Sequence, residues 1–242
     1  MSQRRPLPRS RNHLLSVLSP ADFRLIEHDL KSVELGLRRV LEDANKAIKQ
    51  VYFMEAGIAS VVTGAGGGGQ IEVGIIGREG MTGLNVVMGN NRSPHETYIQ
   101  VAGRAQRITS AALRKAMEKS RSLRDCFLHF AQAFMLQTAH TATANGRATI
   151  DERLARWLLM GHDRVDGDEL PLTHEFIALM LSVRRAGVTV AIQKLEKKGL
   201  IKTKRGLIVV ADRKALERAA NGYYGVPEAE YRRLTGWRAA HK

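Results

Sequence analysis

The chain of 242 residues has little of what disulfide-rich, iron–sulfur or membrane proteins require. Its single cysteine, Cys126, excludes an intramolecular disulfide and a set of cysteine ligands for an iron–sulfur cluster. No run of about 18 apolar residues occurs, so the sequence predicts no transmembrane helix. Aromatic residues make up only 5% of the chain, and a packed core therefore has to consist mainly of Leu, Ile, Val, Met and Ala.

Residue sets typical of metal sites and enzymes are also missing. The eight histidines are not spaced as metal ligands, which argues against a bound metal or haem. Glu79, His95, Glu96 and Asp151 are scattered, and no nucleophile with a neighbouring base can be proposed from them. We therefore expect no enzyme, no metal and no cofactor, and any effector stays unidentified.

Basic residues, in contrast, are abundant. The chain has 38 Lys and Arg against 24 Asp and Glu, a formal net charge of +14. Such a charge favours a polyanionic partner, and nucleic acid fits better than a membrane because no Trp/Lys-rich amphipathic segment is present. The first 13 residues are basic but lack the apolar core and cleavage site of a secretory signal. We expect a disordered basic arm there, and a cytoplasmic protein.

The stretch Leu172–Val210 predicts two helices followed by a β-hairpin. Thr173 is a suitable N-cap for the first helix, and apolar residues recur at helical spacing in both helices. A break at Ser182 separates the helices, and Gly199 follows the second where a left-handed residue is common. Two β-prone runs then flank Lys204-Arg205-Gly206. The pattern is that of a winged helix-turn-helix.

Positive charge is concentrated in this motif. Eight basic residues lie between Arg184 and Arg205, with Glu196 as the one acid among them. Lys and Arg release condensed counterions when they contact DNA phosphates, so the cluster predicts a DNA-binding surface. The alternative is a solvated helix that is basic by accident, and the adjoining turn and wing disfavour it.

The N-terminal half predicts a helical segment over residues 12–42 and then short strands. Tyr52–Met54 and Ile58–Val62 are strand-like around the turn signal at Gly57. Further strands are predicted at 71–76, 97–101 and 104–109, with Gly103 as a turn. Short strands with regular glycine turns indicate an antiparallel roll or barrel. The run Gly64–Gly69 lacks the residues that follow a phosphate-binding loop and is interpreted as a flexible hairpin loop.

A long helix is predicted from about Ser122 to Asn145. Apolar residues on one of its faces step by four and three positions, the a/d spacing of a coiled-coil pair. Leu128, Ala131 and Met135 form a second flank that we expect to pack on the roll. A helix packed within its own domain is the alternative. The predicted dimerisation residues are Leu123, Phe127, Phe130, Phe134, Gln137 and Thr141.

The order of these elements, and above all the pattern in Leu172–Val210, resembles the Crp/Fnr family of bacterial transcription regulators over about residues 14–220. The resemblance implies an α+β fold with an N-terminal antiparallel β-roll of the cyclic-nucleotide-binding type, a long dimerisation helix and a C-terminal winged helix-turn-helix. It also implies a homodimer on double-stranded DNA with a pseudo-palindromic operator. RNA polymerase is a further candidate partner, and a membrane is not.

The predicted division of the chain follows from this order. It comprises a disordered basic arm (1–13), a β-roll sensor domain (14–118), a dimerisation helix (119–146), a winged helix-turn-helix DNA-binding domain (147–220) and a C-terminal tail (221–242) without an assigned role.

On the DNA side, Arg185 matches a family position that typically contacts a guanine edge. Ala186 and Val190 stand where the cyclic-AMP receptor type has an acid and a second base-reading Arg, so we expect a different operator. Thr189 is an added candidate for base or phosphate contact. The predicted DNA-binding residues are Thr173, His174, Arg184, Arg185, Ala186, Thr189, Lys194, Lys204 and Arg205.

On the sensor side, cyclic-nucleotide binders of this family carry Gly-Glu-Leu and, downstream, Arg-Ser/Thr. The segment Gly80–Leu84 lacks the acid, and Arg92-Ser93 is at most a shifted remnant of the second element. The cluster cysteines of Fnr-type proteins are absent. We therefore expect a degenerate effector site that does not bind cyclic AMP. Its candidate residues are Glu79, Gly80, Thr82, Gly83, Arg92 and Ser93.

Together, these features predict a homodimeric, sequence-specific DNA-binding transcription regulator. The alternative is a sensor of a small ligand such as a nucleotide, or a protein-interaction module, in which the DNA-binding domain is vestigial.

Overall fold

A computed structural model describes residues 10–64 and 69–237 of the chain. Most of the predicted basic arm, residues 1–9, and the centre of the glycine-rich loop, residues 65–68, lie outside the described residues.

An antiparallel sheet forms most of the N-terminal half. Two short helices precede it, with Asn12 and Ser19 as their N-caps: α1 (His13–Val17) and α2 (Pro20–Arg24). The strands are β1 (Lys31–Leu35), β2 (Val40–Glu42), β3 (Gln50–Gly64), β4 (Gln70–Ile76) and β5 (Glu96–Thr109), with α3 (Leu84–Val87) between β4 and β5. Their order is β1-β5-β3-β4, and β2 also pairs with β5. The predicted antiparallel β-roll is confirmed.

Three local predictions in this half are wrong. Helical structure does not extend over residues 12–42, because β1 and β2 pair with β5 and are extended. Gly57 and Gly103 are not hairpin turns but lie opposite each other at irregularities within the continuous strands β3 and β5. A Cβ at Gly103 would lie 2.1 Å from the Ala56 carbonyl oxygen, so these glycines allow two backbones to approach closely.

The C-terminal half is mainly helical. Its helices are α4 (Ser110–Lys119), α5 (Arg121–Arg147), α6 (Ile150–His162), α7 (His174–Leu181), α8 (Arg185–Lys197), α9 (Arg213–Ala219) and α10 (Val226–Thr235). A small antiparallel sheet joins β6 (Glu169–Leu170), β8 (Leu207–Val210) and β7 (Ile201–Lys204) in that order. Helices α7 and α8 with the β7–β8 hairpin form the predicted winged helix-turn-helix, which is confirmed.

The faces of α5 are largely the reverse of those predicted. Leu123 and Phe127 are fully buried in the chain's own core, and the Phe127 ring lies 5.5 Å from that of Phe53 on β3. Of the flank predicted to pack on the roll, Leu128 and Met135 are 37% and 64% exposed, and only Ala131 is buried. Phe130, Phe134 and Gln137 are also buried, and Thr141 is half-buried. Because both faces of α5 carry apolar residues, the spacing alone does not determine which face packs against the roll.

The C-terminal helix α10 packs on α5 and on the roll. The Tyr231 ring makes edge contacts with Phe130 at 5.8 Å between centroids and lies 5.4 Å from Trp237. Its hydroxyl donates a hydrogen bond to the Glu79 carbonyl oxygen, and the His13 ring Nε2 lies 3.0 Å from the Thr235 carbonyl oxygen. Helix α10 and Trp237 are therefore part of the core around the roll.

Replacing Tyr231 by Ala should lower the free energy of unfolding by about 3–5 kcal/mol, because a buried ring is lost and a cavity remains. Tyr231→Phe keeps the ring and should cost about 1 kcal/mol through the lost hydrogen bond. Urea unfolding of the full chain measures both. Val226→Ala, at an exposed site on the first turn of α10, is the control. Unchanged stability of Tyr231→Ala would contradict the packing of α10 on the roll.

Candidate nucleic-acid interface

Local capping and packing fix the position of α8. The Thr173 hydroxyl accepts the Phe176 N–H at 3.2 Å and so caps α7. Ser182 ends α7 in the left-handed conformation, with φ 48°, and the chain then turns into α8. Four buried apolar residues hold the inner face of α8: Val188, Ala191, Ile192 and Leu195. The opposite face of α8 is thereby presented to solvent.

The start of α8 exposes two arginines. Arg184 precedes the helix as its N-cap residue, and Arg185 is its first residue. Both are exposed, as are Ala186 beside them and Arg205 at the tip of the wing. Among the described residues, no carboxylate pairs with these arginines, so their guanidinium donors are available to a ligand.

Two of the predicted lysines already have acidic neighbours. The Lys194 ammonium lies 3.0 Å from an Asp151 carboxylate oxygen, and that of Lys204 lies 3.9 Å from Glu169. All four side chains are wholly or partly exposed, and ion pairs of this kind contribute little stability. A phosphate group could therefore replace either carboxylate at low cost.

The acid within the basic stretch has a structural role that the sequence pattern does not reveal. Glu196 Oε1 accepts hydrogen bonds from both the backbone N–H and the hydroxyl of Thr203, each at 2.8 Å. Glu196 lies on α8 and Thr203 on β7, so the two bonds fix the wing against the second helix. The relative position of their basic side chains depends on this contact.

Thr189 and His174 lie together on the side of α8 that faces α7. The Thr189 hydroxyl donates to the Arg185 carbonyl oxygen at 3.1 Å and lies 3.3 Å from His174 Nδ1. Both side chains are half-buried. They therefore help to join the two helices, and a contact with DNA stays a prediction for each, as it does for the capping residue Thr173.

In the roll, Glu79 belongs to a buried ion pair. Its Oε1 lies 2.7 Å from Nε of Arg164, directly after α6, and both side chains are almost fully buried. The same carboxylate accepts the Gly77 N–H. A Cβ on Gly80 would lie 2.0 Å from the Phe130 ring, so only glycine fits there. The first predicted effector segment thus joins the roll to α5 and α6.

The other effector candidates are not gathered into one polar pocket. The Thr82 hydroxyl accepts the Tyr52 N–H at 3.1 Å, and the Gly83 N–H donates to Glu42 at 2.6 Å. Arg92 is exposed, whereas Ser93 is buried and accepts the His95 N–H. Glu42 was missed from the sequence. Only the fold places its carboxylate beside the Gly83 N–H, which is why no sequence pattern marks it as part of this region. Burial raises the pKa of the Glu42 carboxyl group.

A second buried carboxylate, Glu72 on β4, links the roll to α6. It accepts hydrogen bonds from the Trp157 indole N–H and the Ser60 hydroxyl, both at 2.5 Å. Burial raises the pKa of Glu72 to about 7, and these hydrogen bonds oppose the shift. Because Ser60 is on β3 and Trp157 on α6, the group lies at the contact between the two halves of the chain.

Asp166 provides an exposed ionic contact between the same halves. Its carboxylate lies 2.5 Å from Nη1 of Arg78 in the roll and also pairs with Arg11. Arg11 belongs to the predicted basic arm, so this arm residue has a partner within the chain. The loop after α6 is thus tied to the roll through Arg164 and through Asp166.

Residues 152–219 match the family described as a Crp-like helix-turn-helix domain. The match spans α6 to α9 and includes the exposed face of α8. The chain has the Crp/Fnr fold. The resemblance inferred from the sequence is confirmed by this match in the C-terminal domain and by solved structures that share the fold over most of the chain.

Three solved structures illustrate the similarity. A protein described as a Crp/Fnr transcriptional regulator from Eubacterium rectale is 19% identical with a TM-score of 0.67, over 86% of this chain and 98% of that one. FixK2 from Bradyrhizobium japonicum is 15% identical, TM-score 0.69, over 78% and 96%. A Crp/Fnr regulator from Thermus thermophilus is 15% identical, TM-score 0.64, over 80% and 100%. No curated protein matches the sequence significantly.

Membrane-spanning helices and metal-binding clusters are both absent from the part of the chain that the structure describes. Within residues 10–64 and 69–237, no helix has both the length and the apolar character needed to cross a membrane. In the same ranges, no three His, Cys, Asp or Glu side chains are grouped so that they could hold a metal ion.

Glu72→Gln should flatten the pH dependence of stability between about pH 5 and 7. The folded carboxyl keeps its proton up to about pH 7, whereas the unfolded one loses it near its ordinary value of 4.5. The stability that this group contributes is therefore full below about pH 4.5 and is lost as the pH rises to 7, a change on the order of 3 kcal/mol.

Urea unfolding of wild type and Glu72→Gln at several pH values measures this contribution as the difference between the two proteins. Glu34→Gln, at an exposed site on β1, is the control and should leave the pH profile unchanged. A difference between wild type and Glu72→Gln that is constant over this pH range would contradict the raised pKa.

Proposed function

We propose that the protein is a sequence-specific DNA-binding transcription regulator. The observation that carries the proposal is the pair Arg184 and Arg185, exposed without carboxylate partners at the start of the second helix of a Crp-like helix-turn-helix. In such motifs this helix enters the major groove, and its N-terminal residues contact base edges. The guanidinium of Arg185 suits the O6 and N7 atoms of guanine.

Phosphate contacts would come from the flanks of α8 and from the wing. Lys194 lies on one side of α8, and Lys204 and Arg205 extend from the β7–β8 turn. Contacts of this kind position the protein on the duplex without reading its sequence. A vestigial DNA-binding domain is disfavoured, because the exposed basic residues, the buried inner face of α8 and the anchored wing are all retained.

The protein would act as a homodimer through the exposed face of α5. This stripe steps by four and three residues and consists of Leu128, Gln132, Met135, Ala139, Ala142 and Gly146. Its spacing is that of a coiled-coil seam, and the small residues near its C-terminal end allow two helices to approach closely. A second copy would place two α8 helices on half-sites ~34–36 Å apart, which a pseudo-palindromic operator requires.

The roll of this regulator is proposed to be a degenerate effector domain that does not bind cyclic AMP. Three features support this. The Glu79 carboxylate is paired with Arg164, and the Phe130 ring lies against Gly80. Tyr231 on α10 contacts both the Phe130 ring and the Glu79 carbonyl oxygen. Arg92 is exposed rather than directed into this packed region. Such a regulator would act in the cytoplasm, with RNA polymerase as a candidate partner.

Arg185→Ala should weaken binding to the preferred operator by about 1–3 kcal/mol, or roughly five- to 150-fold, and affect random DNA much less. The operator is first selected from a random duplex library and affinity is then measured by fluorescence anisotropy across a range of salt concentrations. Arg121→Ala, on the exposed first turn of α5, is the matched control. Equal affinity of wild type for operator and random DNA, or binding without a steep salt dependence, would refute the proposed function.

Met135→Lys should convert the dimer into a monomer, because it places a charge at the centre of the exposed α5 stripe. The mass in solution, measured by light scattering, decides the outcome. Leu37→Lys alters an equally exposed apolar residue in the turn between β1 and β2 and should leave the dimer intact. A wild-type monomer, or a Met135→Lys dimer as stable as the parent, would rule out this interface.

A further inference from the structure

The outermost ridge of α8 begins with apolar side chains. Ala186, Val190, Gln193 and Lys197 follow one another at steps of four, three and four residues, and all four are exposed. They lie opposite the inner face that contains Val188, Ile192 and Leu195. The part of α8 that projects furthest from the domain is therefore apolar in its N-terminal half and polar beyond it.

Val190 is an exposed apolar residue on this ridge. It is 50% exposed, on a helix whose exposed residues also include Arg185, Lys194 and Lys197. Ala186 and Val190 line a shallow groove that the N-terminus of α6, Thr149–Asp151, closes on one side, with Lys194 at its edge. Arg185 adjoins Ala186 along the chain. Lys194 is paired with Asp151 at this groove, whereas Arg184 and Arg185 have no carboxylate partner among the described residues. The two arginines therefore suit a polyanion, and Ala186 and Val190 suit an apolar group that it carries.

In the major groove of DNA, the thymine C5-methyl is the apolar group at the base edges. The side chains of Ala186 and Val190 neither donate nor accept hydrogen bonds, so polar base edges beneath them would lose contacts to water. A methyl group there would instead be buried. Gln193, next on the ridge, has the amide that can pair with adenine N6 and N7.

We propose that Ala186 and Val190 read thymine methyl groups, so that each half-site combines a guanine contacted by Arg185 with neighbouring A·T pairs. This inference rests on the proposed DNA-binding function and specifies its substrate. Specificity at these positions comes from apolar contact rather than from hydrogen bonds.

The test removes single methyl groups from DNA. Each thymine of the selected operator half-site is replaced in turn by deoxyuracil, which keeps the base pairing and lacks only the methyl. At one or two positions, the affinity of the full-length protein should fall about fourfold for each methyl lost. Val190→Ala should bind the unmodified operator more weakly and should lose the sensitivity to deoxyuracil at one position. Val226→Ala, another exposed valine at the start of a helix, should behave as wild type.

Several outcomes would overturn the inference. If wild type selects an operator but tolerates deoxyuracil at every position, DNA binding stands and methyl recognition fails. The same holds if Val190→Ala keeps the full sensitivity to each substitution. If wild type shows no preference for any sequence, the proposed function fails, and methyl recognition fails with it.

Discussion

Burial of the phenylalanine face of α5 against the roll is the packing constraint on which the rest of the structure depends. Phe127 contacts Phe53, Phe130 lies against Gly80, and Phe134 lies against Gly74. The two glycines make this possible, because a Cβ at either would overlap a ring. Once this face is buried, the opposite face of α5 is left to solvent, and the end of the helix fixes where α6 begins.

Polar contacts between the roll and the C-terminal half add to this packing. Glu79 and Glu72 are buried carboxylates in the roll, and each accepts a hydrogen bond from a side chain in or directly after α6. Removing one partner from a buried group is costly, since the other is left without its hydrogen bond. These contacts therefore specify one orientation of α6, and through it of α7 and α8, more strongly than apolar packing alone would.

Local signals account for what the sequence could predict. The cap at Thr173, the apolar spacing in α8 and the turn at Gly206 act within a few residues, so the winged helix-turn-helix could be predicted. The faces of α5 could not, because both are apolar and only tertiary packing selects one. Gly57 and Gly103 have the local signature of turns, yet each serves a close approach to a strand distant in sequence. The links of Glu79 and Glu72 to α6 join residues about 85 positions apart, and no local pattern indicates them.

On α8, the buried face and the face proposed to contact DNA are separate. Val188, Ile192 and Leu195 are buried, and their replacement by smaller residues would leave cavities. Ala186, Val190 and Gln193 contribute little to that core, so their identities can change without loss of the fold. The fold of the domain therefore does not determine the residues of its outer ridge, and with them the sequence that it is proposed to read. An exposed valine on the outer ridge of α8 has no evident role in stability, and the proposed contact with DNA would cover its apolar surface.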